Sequence, residues 1–267
     1  MGLRINSNIP ALGAQRQTSR TAGLLNQTLR QLASGRRINR AADDAAGLAI
    51  AERFNSQARQ GRVEINNLQQ GINYAQTAEG GLQVQQDAVQ RIRELAVQAS
   101  NGTLSDDQRA ALNAEAQQLI EQIGDVAEDT EYNGQTLLDE NKTVELGTSD
   151  LEVSVNASTT DSLGIAGVDL STAEGAAAAI DTLDTASARI SQNRSNIGAQ
   201  VNRFETAIAQ REIGVENALA SESLLRDADI AAVVTEQTRN QILLQAGLGA
   251  LVQSNVTPQS ALRLLGS

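Results

Sequence analysis

The sequence predicts a mainly α-helical protein in which the two arms of the chain form a long antiparallel coiled-coil rod. One short β-hairpin region is expected near the middle. Strong helix formers dominate the composition, and proline occurs only at Pro10 and Pro258, so the strongest helix breaker is absent between them. Two long segments repeat apolar residues every seven positions. With two Phe, two Tyr and no Trp, the chain lacks the aromatic residues that usually fill a large globular core.

The first segment predicts a helix with a narrow apolar face that needs a partner helix. Its apolar residues fall in two triplets with the four-then-three spacing of one helical face: Ile5, Ile9 and Leu12, then Leu25, Leu29 and Leu32. The segment after Asp227 has the same character, with Ile230, Val234, Leu244, Leu248 and Leu251 on one face. We therefore expect residues 1–42 and 227–267 to pair, because neither end alone offsets its ordering entropy.

Residues 32–50 (LASGRRINRAADDAAGLAI) predict a poorly helical junction between the arginine-rich first segment and the regular apolar pattern that follows it. Gly35 and Gly47 weaken any helix that crosses it. Three arginines precede an acidic pair: Arg36, Arg37 and Arg40, then Asp43 and Asp44. We predict a connector over residues 43–60. Two pairings are open for the aspartates: with arginines of the same chain, or with those of a neighbouring copy.

The rod is predicted over residues 61–226. Its first helix carries a heptad row of Leu68, Ala75, Leu82, Val89 and Ala96, and it ends at the turn pair 101–102. Ser105 and Gln108 then form a capping box. The helix that follows places one row on a single face: Leu112, Ala116, Leu119, Ile123 and Val126. These two helices should form an antiparallel hairpin.

A β-hairpin region is predicted at residues 133–170. Asn133 and Gly134 mark a turn, and apolar residues alternate at period two on either side of residues 147–150. Ser171 and Glu174 then form a second capping box. It opens the longest helix, whose stripe comprises Ile180, Leu183, Ile190, Ile197, Val201, Phe204, Ile208, Val215 and Leu219.

Composition argues against an enzyme and predicts no cofactor or metal. The chain has no Cys and no His, which removes thiol nucleophiles, histidine-based triads and zinc or haem ligation by either residue. Acidic pairs at 43–44, 106–107 and 227/229 lie where helices should begin, and there carboxylates cap the helix. No apolar run approaches the roughly 20 residues of a membrane span. The first residues lack the apolar region of a cleaved secretory signal.

The net charge of −11 conceals a basic first arm, with seven arginines and no acid in residues 1–42. Such an arm is also found in nucleic-acid-binding proteins. Here no aromatic residue is present to stack on bases. A basic-arm nucleic-acid-binding coiled coil is therefore kept only as a distant alternative, and we expect neither nucleic acid nor membrane insertion.

Four blocks in order give the sequence a family resemblance. They are residues 32–50, QRIRELAVQ at 90–98, NIGAQVNRF at 196–204, and QILLQAG at 241–247 with Pro258 and Gln259. With these blocks the chain resembles bacterial flagellin over nearly its whole length. It lacks a large outer domain between the arms, so a short form is expected. A hook–filament junction protein of the same superfamily is the alternative.

The resemblance implies a filament subunit that is exported by the flagellar type III apparatus without a cleaved signal and lies outside the cell. Its terminal segments would form the inner core of a helical homopolymer and be disordered in the free monomer. Implied partners are an export chaperone on the C-terminal segment, the filament cap and the hook-junction proteins.

The resemblance further implies recognition by a host Toll-like receptor, through Gln90, Arg91, Arg93, Leu95 and Glu115. Arg91 and Leu95 are one helical turn apart, so a guanidinium and an apolar side chain are expected to share a face. The alternative is that Arg91 and Glu94 are solvated and Leu95 packs on a neighbouring subunit.

Overall fold

The computed structural model describes residues 8–147 and 151–265, with side chains described as far as residue 256. The chain divides into two compact units: residues 1–58 with 216–267, and residues 59–215. We call them the terminal unit and the central unit. Their elements are α1 (Ile9–Ser34), α2 (Ala45–Ala99), α3 (Asp106–Asp129), β1 (Glu131–Tyr132), β2 (Gln135–Thr136), β3 (Lys142–Glu145), β4 (Glu152–Val155), α4 (Thr160–Leu163), α5 (Ala173–Arg226) and α6 (Ile230–Leu265). The predicted mainly α fold is confirmed.

In the central unit α2 and α5 pack antiparallel, as the heptad pattern predicts. Arg211 pairs with Glu64 at 2.9 Å, and Gln86 donates to Ser187 Oγ at 2.7 Å. Residue numbers on α5 therefore fall as those on α2 rise. The predicted row on α2 is fully buried, and so are Leu183, Ile190, Ile197 and Phe204 of the predicted α5 stripe.

Helix α3 begins at the predicted capping box, with Ser105 and Gln108 bonding each other's backbone. Its buried face differs from the predicted row, because the helix turns Ala116, Ile120, Ile123 and Ala127 to the core. Leu112 and Leu119 are only partly buried against that core.

The predicted hairpin is present, with β3 and β4 antiparallel and Val144 opposite Val153. A second strand pair, β1 with β2, closes around Asn133 and Gly134, whose φ angles are 54° and 75°. Positive φ at both central residues is the requirement of a type I′ turn. The sequence marked this turn but not its strands, which are two residues each.

A buried amide ties this region to α2. Gln85 is 0% exposed; it donates to the carbonyl oxygens of Ile123 (3.0 Å) and Ser158 (2.8 Å), and it accepts from Ser158 Oγ. The predicted cap at Ser171 is wrong by one residue: Thr172 Oγ1 accepts from Gly175 N and starts α5. Ser171 is instead held by the Asp169 carboxylate.

The non-helical junction is shorter than predicted, because α1 continues to Ser34 and α2 begins at Ala45. Gly47 lies inside α2. A Cβ there would be 2.4 Å from the Asp44 carboxylate and 2.9 Å from Ile38 Cδ1, so glycine lets the capped helix start pack on the buried Ile38. No helix in the described ranges is long and apolar enough to cross a membrane.

Candidate assembly and recognition surfaces

In the terminal unit α1 and α6 pack antiparallel on each other, as the two polar-flanked ends predict. Asn8 caps α1 and donates from Nδ2 to Ser254 O at 2.9 Å. Further along, a Cβ on Gly247 would be 2.8 Å from Thr18 Oγ1. Glycine at this position therefore permits the close approach of the two helices.

The seam between these helices is mostly polar. Its buried residues are Thr21 and Thr28 on α1, with Val233 and Asn240 on α6. Thr21, Thr28 and Asn240 do not belong to any row of Leu, Ile or Val, and the predicted α6 row ran through Val234 in place of its neighbour Val233. Each pair is seven residues apart, and that heptad spacing was the available signal.

The predicted apolar rows lie largely outside this seam. Exposed members are Ile9, Leu12, Leu29, Ile230, Val234 and Leu248, and half-buried ones are Leu25, Leu32, Leu244 and Leu251. Ile5 lies outside the described residues. The single chain thus leaves most of the predicted inner-core residues in contact with solvent.

The loop between α1 and α2 is held to the end of α5 by backbone hydrogen bonds. Arg37 N donates to Arg226 O (2.7 Å), and Ala228 N donates to Gly35 O (3.0 Å). These bonds make an isolated antiparallel bridge between Arg36 and Asp227. The chain's two arms are therefore joined next to the starts of α2 and α6.

Asp43 and Asp44 do not pair with the connector arginines in the described part of the chain. Asp43 Oδ2 accepts from the backbone nitrogens of Asn39 (3.1 Å) and Arg40 (3.0 Å). Asp44 Oδ1 accepts from Gly47 N (2.8 Å) and caps α2. Both carboxylates satisfy backbone donors, but only Asp44 does so as a helix cap, because the donors to Asp43 lie in the loop before α2.

The residues expected to bind a receptor divide between surface and core. Arg91 is exposed and pairs with Glu115 at 2.8 Å and with Glu94 at 3.2 Å. The hydrogen bonds that the Arg91 guanidinium donates to Glu115 and, to a lesser extent, to Glu94 raise the pKa of Arg91. Arg93 pairs with Asp184 on α5, and Gln90 is exposed.

The expectation that Leu95 shares an exposed face with Arg91 is wrong. Leu95 is 2% exposed and belongs to the core of the central unit. The Leu95 side chain points inward because α3 and α5 both pack against this part of α2. For the same reason Leu95 is not available to pack on a neighbouring subunit, which was the alternative expectation. Only Gln90, Arg91, Arg93 and Glu115 remain on the surface.

These features define a structural protein built from long helical hairpins, with an unfinished apolar surface in one unit. In the described ranges no three His, Cys, Asp or Glu residues converge on a metal position. The polar contacts serve helix caps, seams and surface ion pairs.

Comparisons with known proteins identify the class more closely. Residues 5–143 match the family model of the bacterial flagellin N-terminal helical region, and residues 180–265 match the C-terminal helical region. The flagellin of Halalkalibacterium halodurans is 41% identical, covering 98% of this chain and 99% of its own. The flagellar filament 33 kDa core protein of Treponema phagedenis is 36% identical, with the same coverage.

Solved structures agree with this assignment. The crystal structure of Bacillus cereus flagellin aligns with a TM-score of 0.50 and 27% identity, covering 55% of this chain and 88% of that chain. The chain belongs to the bacterial flagellin family. Members of this family are structural subunits of the flagellar filament, which lies outside the cell.

Proposed function

We propose that this chain is exported and self-assembles into the filament, and that its terminal helices complete their burial only in the polymer. One observation carries this proposal. Among the side chains that the structure describes, 17 large apolar ones are exposed, and 13 of these lie in the terminal unit. The extended core of 32 buried residues lies wholly in the central unit.

The energetics of burial follow this division. Full burial of one such side chain contributes roughly 1.5–3 kcal/mol, and the central unit obtains this from its own chain. The α1–α6 seam instead buries two threonines and an asparagine, with Val233 as its one fully buried large apolar side chain among the described residues. The terminal helices therefore depend on neighbouring copies for most of their apolar burial.

Seeded growth tests the proposal. Purified chain is mixed with sheared filament fragments, and elongation is followed by sedimentation and electron microscopy, with an unseeded sample as control. We expect elongation from the seeds. A folded chain that binds seed ends without elongating them would support the hook–filament junction protein instead.

Limited proteolysis tests the coupling of folding to assembly. In dilute monomer, protease should remove about the first and last forty residues and leave the central unit intact, since unsupported termini are cleaved first. The same residues should be protected in the filament. Full protection of both ends in dilute monomer contradicts coupled folding.

A chaperone on the C-terminal segment is supported by the surface of α6. As far as residue 256, where the described side chains end, this helix exposes seven large apolar side chains: Ile230, Val234, Ile242, Leu243, Leu248, Val252 and Val256. A free subunit with this surface is prone to premature association. We infer that an export chaperone covers α6 before export through the type III apparatus, and that the filament cap and hook-junction proteins meet the same surface.

Receptor recognition is a second proposal, supported by the exposed pair of Arg91 and Glu115. We infer that these two residues, with Gln90 and Arg93, form the contact with a Toll-like receptor. Leu95 would act only by holding α2 in place. A reporter assay of receptor activation with Arg91→Ala and Glu115→Ala tests this, with Glu121→Ala on an exposed position of α3 as the matched control.

A further inference from the structure

The seam between α1 and α6 contains a buried amide whose burial is not compensated. Asn240 is 4% exposed, and its amide nitrogen makes no hydrogen bond in the described part of the chain. The buried threonines of the seam differ, because the hydroxyls of Thr21 and Thr28 donate to carbonyl oxygens of α1 itself. The polarity of the threonines is therefore satisfied within one helix, whereas that of Asn240 is not.

The alignment of the two helices places Asn240 where an apolar side chain would pack better. A Cβ on Gly247 would be 3.8 Å from Thr18 Cβ, so these two residues lie at one level of the antiparallel pair. Asn240 lies seven residues before Gly247, and Leu25 lies seven residues after Thr18. Two turns from the first level, Asn240 and the half-buried Leu25 thus share a second level. Leucine at position 240 would extend the apolar part of the seam.

An uncompensated amide acts against the closed state of the helix pair. On closure the group gives up its hydrogen bonds to water and gains none in the seam. When the two ends are open and hydrated, the same group carries no penalty. In coiled coils a buried asparagine likewise lowers stability and restricts the pairings that form. Asn240 therefore shifts the equilibrium between open and closed ends towards the open state.

We propose that Asn240 keeps α1 and α6 apart in the free chain, so that they close together only when neighbouring copies cover their outer faces. This inference rests on the proposed function, since it assigns the coupling between closure and assembly to one side chain. In the polymer, burial of exposed side chains such as Leu12 and Leu248 offsets the penalty of the amide. A pair that closed earlier would present these side chains as a preformed surface, which favours premature association.

An engineered disulfide measures closure, because the chain contains no cysteine. Thr18→Cys combined with Gly247→Cys would bring two Cβ atoms to 3.8 Å in the closed pair, which is the usual Cβ separation of a disulfide. The change at Thr18 also removes the hydroxyl that lies 2.8 Å from the new Cβ. This reference chain is kept as dilute monomer in a glutathione redox buffer, and the crosslinked fraction at equilibrium is measured by gel mobility.

Two changes at position 240 should shift this equilibrium in opposite directions. In the reference chain Asn240→Leu removes the amide and keeps a branched side chain of similar shape. The equilibrium constant for the crosslink should rise about tenfold, which corresponds to about 1.4 kcal/mol. Asn240→Asp introduces a charge that is harder to bury and should lower the constant. Gln241→Leu is the matched control: it adds leucine at the exposed neighbouring position of α6 and should change the constant less than about twofold.

Each chain is isolated as monomer by gel filtration before oxidation, and seed elongation is measured separately under reducing conditions. If the reference chain elongates seeds but Asn240→Leu or Asn240→Asp leaves the constant unchanged, the inference is overturned and the proposed function stands. An equal rise in Gln241→Leu also overturns it, because any added leucine would then close the pair. A reference monomer that is already fully crosslinked overturns it too, since the seam would close despite the amide. Failure of the wild-type chain to elongate seeds contradicts the proposed function instead.

Discussion

The substitution Leu248→Asp tests whether the exposed face of α6 is an assembly surface. In the single chain Leu248 is 51% exposed, so the variant should change the free energy of unfolding by less than about 0.5 kcal/mol. About half of its surface is left to bury in the polymer, so the variant removes roughly 0.8–1.5 kcal/mol of apolar burial per subunit, and a buried carboxylate adds a desolvation cost. Since 1.4 kcal/mol is a factor of ten, the critical concentration should rise roughly four- to tenfold or more.

The control is Val97→Asp, because Val97 is 50% exposed but lies in the central unit. Both variants are tested at a concentration just above the wild-type critical concentration, with sedimented protein measured after seeding and helicity measured by circular dichroism. We expect no polymer from Leu248→Asp and growth from Val97→Asp. Normal growth of Leu248→Asp, or an equal block in both variants, would refute the argument from the apolar asymmetry.

Three further predictions concern Gln85, Asp44 and the pair of Leu95 and Arg91. Gln85→Ala leaves the Ser158 carbonyl and hydroxyl without their buried partner, and chemical denaturation should show a loss of roughly 1–3 kcal/mol; an unchanged midpoint would contradict this role. Asp44→Ala should lower the free energy of unfolding by about 1 kcal/mol, while Asp44→Asn should lower it little, because either an amide or a carboxylate oxygen can cap α2. Equal losses in the two variants would show that the charge of Asp44 matters instead of its capping oxygen. Leu95→Ala should lower the free energy of unfolding by about 2–5 kcal/mol, because it leaves a cavity. Arg91→Ala should melt like the wild type but lose receptor activation. If folded Arg91→Ala still activates the receptor, Arg91 is not part of the contact.

The long-range architecture could be predicted because the heptad rows are regular. Leu68 and Leu82 on α2, and Ile190 and Phe204 on α5, lie on the stripes that period seven selects, and all four are buried. A helix that keeps one stripe over many turns has only one face to bury, so the sequence determines which residues meet. The same holds for the β3–β4 hairpin, where alternation fixes the register.

The sequence does not predict the buried face of a helix correctly where that helix packs against more than one other element. Leu95 is adjacent to Arg91 on a helical wheel, and no pattern within α2 shows that neighbouring elements cover that side as well. The buried face of α3 is displaced from the Leu112 row for the same reason. Where two elements pack against the same helix, tertiary packing determines which residues of that helix are buried. The periodicity of the sequence then gives only the approximate direction of the buried face.

Polar residues of the two chain ends fill the seam between α1 and α6, and a pattern of apolar residues alone does not predict this. Thr21 and Thr28 fill the seam with small side chains whose hydroxyls bond back to their own helix, so the seam can close without large apolar groups. Leu25 is half-buried on the same face as these threonines, whereas Leu12 and Leu29 of α1 stay exposed. The backbone bridge between Arg36 and Asp227 joins the two arms without using a charged side chain. A pair of helices aligned in this way presents its apolar residues outward, which is the arrangement that a subunit needs when its neighbours supply the rest of the core.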